Sequence, residues 1–193
     1  MANKLIEKSL SAAINRHKKG AVIMMELPED AYFEANIATV KLLTSRGFEG
    51  VYVSFHRPFI SISSLLKQMG VNINNLLFID VATAFAQEEQ EKNPRCSHIS
   101  SAIDIDELVR AIYISLDRLK GKNRFIFIDS LTTIALYKPL SETMRFSEFL
   151  VRTVRKHEVE NVILIFNVAK DLSQKKFIRD IAMHIDETIS VSK

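Results

Sequence analysis

Short apolar segments alternate with longer amphipathic segments along almost the whole chain, and this alternation limits the possible folds most strongly. Most of the short segments are continuously apolar, which predicts strands that are covered on both faces of a sheet. The longer segments carry apolar residues at helical spacing, which is typical of helices that pack one face on a sheet. Strands that alternate with helices favour right-handed βαβ crossovers. The sequence therefore predicts an α/β fold, a three-layer α/β/α sandwich with a mainly parallel sheet.

The boundaries of these elements follow from the apolar pattern and from turn residues. The predicted strands cover residues 21–25, 51–55, 76–81, 124–129, 161–166 and 188–191. The predicted helices cover residues 31–45, 59–69, 105–119, 142–157 and 174–184, in addition to an N-terminal helix within residues 1–20. Asp104 or Asp106 is expected to cap the helix over residues 105–119. Residues 86–101 are polar and longer than most connections, which indicates either a disordered excursion or a functional lid.

Composition and charge restrict the class of protein. A chain of 193 residues suits one domain, over residues 1–193, and its net charge of +3, spread along the chain, argues against nucleic-acid binding. The one cysteine, Cys96, forms no internal disulfide, and neither it nor His98 has the spacing of a metal motif. No apolar run approaches the roughly 20 residues that span a bilayer. We expect a cytoplasmic protein with no membrane partner.

One strand delivers an acidic residue to the edge of the predicted sheet. The segment Arg124-Phe-Ile-Phe-Ile-Asp129-Ser130 is a buried strand followed by a carboxylate, which is how a Walker B motif presents the group that organises Mg²⁺ on ATP. A protein of that kind also needs the phosphate-binding motif G-x-x-x-x-G-K-[ST]. At the corresponding place, residues 27–34 read Leu-Pro-Glu-Asp-Ala-Tyr-Phe-Glu. We therefore expect the fold of an ATPase without its nucleotide-binding loop.

The order of motifs resembles that of the RecA-like P-loop ATPases, and their KaiC-type branch most closely. Residues 50–55, Gly-Val-Tyr-Val-Ser-Phe, are similar to the second strand of that branch, and residues 127–132, Phe-Ile-Asp-Ser-Leu-Thr, are similar to its Walker B strand. Residues 66–70 and 181–189 are similar to two further segments. The strand over residues 76–80 follows residues 66–70 as it does in that branch, and the resemblance as a whole extends over roughly residues 20–191. The resemblance implies a RecA-like fold and makes assembly, as a homo-oligomer or with a protein partner, an expectation.

The departures from that family concern the residues that handle nucleotide. Leu27 and Tyr32 replace the two glycines, Phe33 replaces the lysine, and Glu34 replaces the Mg²⁺-binding hydroxyl. Glycines allow the close backbone approach that a phosphate needs, and phenylalanine supplies no cation. The catalytic glutamate pair that the family carries after the second strand is also missing. We therefore expect no enzymatic activity, no ATP binding, no cofactor and no metal.

The residues at the strand ends leave several interpretations open. Asp129 and Ser130 are residual Walker B residues that either keep a weak metal site or serve as an inherited strand end. For His56 and Arg57 there are three interpretations: they form a new anion site, His56 acts as a general base, or both occupy an exposed turn before Pro58. Tyr32 and Phe33 either fill the vacated pocket or form a patch that binds a partner.

Three functions are compatible with these residues. The first is a non-catalytic RecA/KaiC-like protein, a pseudo-ATPase, that acts by self-assembly or protein–protein interaction and regulates an active relative. The alternative is a small-ligand or nucleotide-binding sensor or enzyme with a remodelled pocket at the carboxyl ends of the strands. A further alternative is a DNA-associated factor of the recombinase-paralogue kind.

Overall fold

The structure is a computed structural model that describes residues 2–17, 20–86, 92–100, 104–156, 161–173 and 175–191. Its centre is a seven-stranded sheet in which every pair of neighbouring strands is parallel. The order across the sheet is β4-β3-β2-β5-β6-β1-β7. The strands are β1 Val22–Leu27, β2 Glu49–Ser54, β3 Leu76–Asp80, β4 Cys96–His98, β5 Asn123–Asp129, β6 Asn161–Ala169 and β7 Glu187–Ser190.

Helices lie on both faces of this sheet. They are α1 Ala2–Arg16, α2 Tyr32–Ser45, α3 Phe59–Gln68, α4 Ala82–Ala86, α5 Ile105–Arg118, α6 Leu131–Tyr137, α7 Leu140–Lys156 and α8 Lys176–Ala182. Apolar side chains of α1, α2 and α3 share one hydrophobic cluster with one face of the sheet, and those of α5, α6, α7 and α8 share a second cluster with the other face. The predicted three-layer α/β/α sandwich is confirmed.

The central strands explain why the apolar runs are continuous. In β1, Ile23 and Met25 belong to the cluster under α1, α2 and α3, whereas Val22 and Met24 belong to the opposite cluster. Successive side chains of a strand point to opposite faces, so a strand covered on both sides needs apolar residues at every position. The residues of β5 from Phe125 to Ile128 are fully buried for the same reason.

Strands from the two ends of the described chain meet in the sheet. The strand β1 lies between β6 and β7, and its residue Met24 pairs with Phe166 on one side and Thr188 on the other. The helix α1 packs against α2 and β7. Both ends of the described chain therefore contribute to one hydrophobic interior.

The helix boundaries follow local signals in most places. The side chain of Asp104 accepts hydrogen bonds from the backbone N–H groups of Asp106 and Glu107, so Asp104, and not Asp106, caps α5. Gly70 takes a φ of +75° directly after α3, the conformation in which glycine ends a helix at least cost. The N-terminal helix is confirmed as Ala2–Arg16.

Three short elements differ from the sequence-based expectation. The predicted loop over residues 86–101 contains the edge strand β4, and the helices α4 and α6 were not predicted. Residues 87–91 and 101 of that loop lie outside the described residues. The strand β4 has only three residues, none of which belongs to an apolar run, so hydrophobic periodicity gives it no signal. In the described parts of the chain, no helix combines the length and apolar character needed to cross a membrane.

Candidate functional site

A cavity of about 790 Å³ lies at the carboxyl ends of the parallel strands. This edge is where open α/β sheets place their ligand sites, because the loops that follow the strands surround a common crevice. The cavity is bordered by the turn before α2, the segment after β2, the segment after β5 and the segment after β6. The sequence-predicted residues that line it are Tyr32, Phe33, His56, Arg57, Asp129 and Ser130. The structure thus brings all of them together around one cavity.

Asp129, the last residue of β5, is held by two tyrosine hydroxyls. Its Oδ2 accepts a hydrogen bond of 2.6 Å from the Oη of Tyr52, and its Oδ1 accepts a very short hydrogen bond from the Oη of Tyr32. Tyr52 is fully buried, and Asp129 is only 5% exposed. Each oxygen of this carboxylate therefore already has a protein donor.

This environment raises the pKa of both tyrosine hydroxyls. Burial, and next the negative charge of Asp129, raise the pKa of the Tyr52 hydroxyl well above its usual range. The same two causes, in the same order, raise the pKa of the Tyr32 hydroxyl. Both hydroxyls stay protonated at neutral pH, and a protonated hydroxyl is the donor that a carboxylate needs.

The turn between β1 and α2 contains the residues that the sequence analysis compares with a phosphate-binding loop. Glu29–Ala31 form a short 3₁₀ turn, and α2 starts at Tyr32. The backbone N–H of Ala31 donates to the carbonyl of Pro28, and that of Tyr32 donates to the carbonyl of Glu29. These two N–H groups are therefore engaged within the turn and do not form a cradle for an anion.

A cluster of hydroxyl groups lies beside Asp129. Ser130 caps α6 by accepting from the N–H of Thr133, and the peptide bond between Asp129 and Ser130 is cis. The Oγ of Ser130 lies 2.9 Å from the Oγ1 of Thr132 and 2.8 Å from the Oγ1 of Thr133. The Nε2 of His56 is 2.8 Å from the Oγ1 of Thr133. His56 is thus oriented by hydroxyls, and no carboxylate among its described hydrogen-bond partners would support it as a general base.

Aromatic contacts join the two sides of the cavity. The guanidinium of Arg57 lies 4.9 Å from the centre of the Phe33 ring, which is a cation–π distance. The ring of Tyr32 meets that of His56 edge to face, with 5.8 Å between the centroids. The residues after β2 therefore contact the start of α2, where the sequence places an aromatic pair in the position of the phosphate-binding residues.

Two buried asparagines at this site were not predicted from the sequence. The Nδ2 of Asn167 in β6 donates to the Oδ1 of Asn36 in α2 at 2.6 Å, and Asn36 also lines the cavity. The Oδ1 of Asn167 has no hydrogen-bond partner among the described residues. The sequence contains a signal for this contact, because Asn167 interrupts the otherwise apolar run of β6. Burying an amide without full hydrogen bonding is costly, so such an interruption marks a polar contact.

Comparisons with known proteins agree with the fold. No protein-family model and no curated protein matches the chain. Among solved structures, the uncharacterized protein PH0321 from Pyrococcus horikoshii, in complex with an unknown peptide, has a TM-score of 0.68 at 14% identity over 95% of this chain and 82% of that chain. PH0250 from P. horikoshii OT3 has a TM-score of 0.54 at 11% identity, covering 94% and 88%.

A KaiC-like protein is also among these neighbours. PH0186 from P. horikoshii OT3 has a TM-score of 0.52 at 16% identity, over 83% of this chain and 67% of that chain. Identities this low show the fold alone. The chain is an α/β protein with a seven-stranded parallel sheet and helices on both sides, a fold similar to that of a KaiC-like neighbour.

Proposed function

We propose that this chain is a pseudo-ATPase, a RecA/KaiC-like protein that binds no ATP and acts by self-assembly or by binding a protein partner. The observation that carries the proposal is the pair of hydrogen bonds from Tyr32 and Tyr52 to the two oxygens of Asp129. Mg²⁺ at a nucleotide site relies on carboxylate oxygens together with the phosphates. The Tyr52 ring is fully buried, so its hydroxyl cannot turn away to make room for Mg²⁺ at this carboxylate.

The surroundings of Asp129 also oppose a polyphosphate. Glu29 lines the cavity, and Glu34 lies in the first turn of α2, where a phosphate-binding site would place its hydroxyl ligand. A carboxylate and a phosphate 4 Å apart repel each other by about 1 kcal/mol in water and by more near a protein surface. Phe33, in the position of the phosphate-binding lysine, adds no positive charge, so only Arg57 and Lys170 among the lining residues could offset this repulsion.

An exposed apolar patch beside the cavity supports a protein partner. Leu136 and Tyr137 at the end of α6 are 73% and 59% exposed, and Leu140 at the start of α7 is 48% exposed. Leu136 also lines the cavity. Contiguous exposed apolar side chains mark interaction sites more often than isolated ones do. PH0321, which has the same fold, was solved in complex with a peptide, and this supports a polypeptide ligand here.

The assembly part of the proposal is tested with one charged substitution in this patch. We expect wild-type protein to self-associate in sedimentation measurements over a range of concentrations, or to retain a partner that co-purifies with it. Leu136→Glu should abolish either association, because it places a charge in an apolar contact. Met183→Glu, at an 82% exposed position after α8, serves as the matched control and should leave it intact. A monomer at all concentrations, with no retained partner, would remove the support for assembly.

A second candidate function is a sensor for a small anionic ligand. The cavity has a volume of about 790 Å³, which lies within the range of small-molecule sites. Arg57 and Lys170 both line the cavity. The amine of Lys170 donates to the backbone carbonyl of Val191 at 3.2 Å, which leaves Arg57 as the better placed cation. This function predicts that an anionic ligand raises the melting temperature of the wild type and not that of Arg57→Gln. The pseudo-ATPase predicts no such shift with ATP and Mg²⁺.

A further inference from the structure

We propose that Asp80, Cys96 and His98 form a Zn²⁺-binding site at the edge of the sheet, separate from the cavity described above. The edge strand β4 pairs with β3 so that Phe78 is opposite Cys96 and Asp80 is opposite His98. Opposite residues on neighbouring strands share a face, and so do residues two positions apart. The register thus places the three side chains on one face. One donor atom from each lies within 4.8 Å of the donor atoms of the other two.

The set of donor atoms selects the kind of metal. It combines the sulfur of Cys96, an imidazole nitrogen of His98 and a carboxylate oxygen of Asp80. Mg²⁺ and Ca²⁺ take oxygen ligands almost exclusively, whereas Zn²⁺ accepts sulfur, nitrogen and oxygen together. Three protein ligands also leave the fourth position of a tetrahedral Zn²⁺ site for water. The site is therefore open, with one position of the metal left for water.

The distances are close to those that Zn²⁺ requires. Zinc–ligand bonds of about 2.0–2.3 Å in a tetrahedron place two ligand atoms roughly 3.3–3.7 Å apart. The Nδ1 of His98 lies 3.7 Å from the Oδ2 of Asp80. The sulfur of Cys96 lies within 4.8 Å of the donor atoms of both partners, and rotation about its Cα–Cβ bond changes its distance to them.

Asp80 is held in place by bonds from other elements. Its Oδ2 accepts from the N–H of Phe59 at 2.8 Å and from the Oγ1 of Thr83 at 2.6 Å. Its Oδ1 accepts from the N–H of Thr83 at 2.9 Å. Zn²⁺ on Oδ2 would take the place of the Thr83 hydroxyl, and the backbone N–H groups of Phe59 and Thr83 would keep their bonds to the carboxylate. Hydrogen bonds of this kind orient a metal-binding carboxylate, and the Asp80 side chain is only 1% exposed.

Access from solvent and a role for the metal both follow from the position of β4. Cys96 and His98 are half-buried on the edge strand, so an ion reaches them without disrupting the core. The strand β4 is three residues long and pairs with β3 alone in the described sheet. Zn²⁺ shared by β3 and β4 would fasten this short strand to the sheet. The expected effect is a higher melting temperature with Zn²⁺, because the ion binds the folded chain.

The test uses the full chain, stripped of metal with a chelator and titrated with Co²⁺ and then with Zn²⁺. We expect one equivalent of Co²⁺ to produce a thiolate-to-cobalt charge-transfer band, which only Cys96 can supply in this chain. Zn²⁺ should displace the cobalt and remove the band. Cys96→Ser should abolish the band, and His98→Gln should weaken Zn²⁺ binding by at least about 100-fold, beyond the loss typical of an outer-shell change.

The controls separate this site from surface binding. His184→Gln changes a histidine after α8 and should bind Zn²⁺ as the wild type does. Circular dichroism of each variant verifies that it is folded. Asp80 is not substituted, because loss of its carboxylate would also break the bonds to Phe59 and Thr83. Absence of the charge-transfer band in the wild type, or equal Zn²⁺ affinity in the wild type and both site variants, would overturn the proposal.

Discussion

At the scale of single residues, Tyr32 has the largest consequence for the proposed function. It begins α2, lines the cavity and donates a hydrogen bond to Asp129, the residue that resembles a Walker B carboxylate. The second donor, Tyr52, comes from the interior of β2 and is fully buried. A carboxylate that is 5% exposed has little water to satisfy it, so its stability in the fold depends on these two hydroxyls.

Removal of one hydroxyl should therefore destabilise the protein. Tyr52→Phe leaves the ring packing intact and deprives the Oδ2 of Asp129 of its donor. We expect a loss of about 1–3 kcal/mol in the free energy of unfolding, the usual cost when a buried polar group loses its partner. Urea denaturation measures it. Tyr113→Phe removes a half-buried hydroxyl whose partner is the neutral hydroxyl of Thr153, so it is the matched control and should cost less. Equal stability of Tyr52→Phe and the wild type would contradict this account of Asp129.

The raised pKa values of the same hydroxyls predict a dependence of stability on alkaline pH. The folded protein holds the phenolic proton of Tyr52 more tightly than the unfolded chain does, because burial and Asp129 raise its pKa above 10.0. The contribution is therefore complete below pH 10 and is lost as the pH rises toward the folded-state pKa. Above about pH 10 the free energy of unfolding should fall by up to about 1.4 kcal/mol per pH unit for each such tyrosine.

Comparison of the wild type with Tyr52→Phe separates the ionisation of the Tyr52 hydroxyl from the titration of lysines, which both proteins share. Stability is measured between pH 8 and 11.5 for the wild type and for Tyr52→Phe. The difference between the two curves should shrink above about pH 10, since the variant has no phenol to ionise at that position. Parallel curves over the whole range would mean that the Tyr52 hydroxyl does not titrate differently in the folded and unfolded states.

At the scale of elements, the close approach of β2 and β5 depends on a glycine. Gly50 pairs with Phe125, and a Cβ atom at position 50 would lie 2.2 Å from the Cζ of that ring. Gly50→Ala should cost about 1–3 kcal/mol, the range for overpacking a core, as measured by denaturation. Adding Phe125→Leu makes space for the methyl group, so the double variant should show a favourable coupling between the two changes. Additive losses would indicate that the ring already has room to move.

The elements also show what the sequence can and cannot predict. The central strands and the longer helices were predicted because each supplies many apolar residues in a regular pattern, as in β5 and α5. The edge strand β4 gives no such pattern, because it is half-buried and has three residues. The helix α6 is seven residues long and follows β5 directly, so its apolar residues read as a continuation of the strand. Short elements are specified by tertiary contacts and not by periodicity.

The sequence predicted which residues form the candidate site but not the hydrogen bonds between them. The six predicted residues lie at or after the carboxyl ends of strands in a parallel sheet, so the topology brings them to one edge: Asp129, Ser130, His56, Arg57, Tyr32 and Phe33. The partnership of Tyr52 with Asp129 joins residues 77 positions apart in sequence and depends on the pairing of β2 with β5. The contact between Asp80 and His98 depends likewise on β4, a strand that the sequence does not reveal.

At the scale of the whole molecule, the fold is similar to that of a KaiC-like neighbour. Under the proposed function, the turn between β1 and α2 and the aromatic start of α2 stand where a nucleotide-binding loop would be expected. The apolar patch at Leu136, Tyr137 and Leu140 lies beside that altered edge. The account therefore joins two proposals, the absence of ATP binding and the presence of a protein partner. The absence of ATP binding is the central claim. The proposal of a protein partner depends on it, because that proposal assumes that the protein has lost its enzymatic use.

Equilibrium titration of the purified chain with a fluorescent ATP analogue and Mg²⁺, taken into the millimolar range, tests the central claim most directly. The account predicts no saturable signal for the wild type, and equally none for Asp129→Ala, which serves as the matched control for nonspecific fluorescence. Saturable binding to the wild type that unlabelled ATP displaces and that Asp129→Ala abolishes would contradict it. That result would assign Asp129 to a working nucleotide site despite its two tyrosine partners.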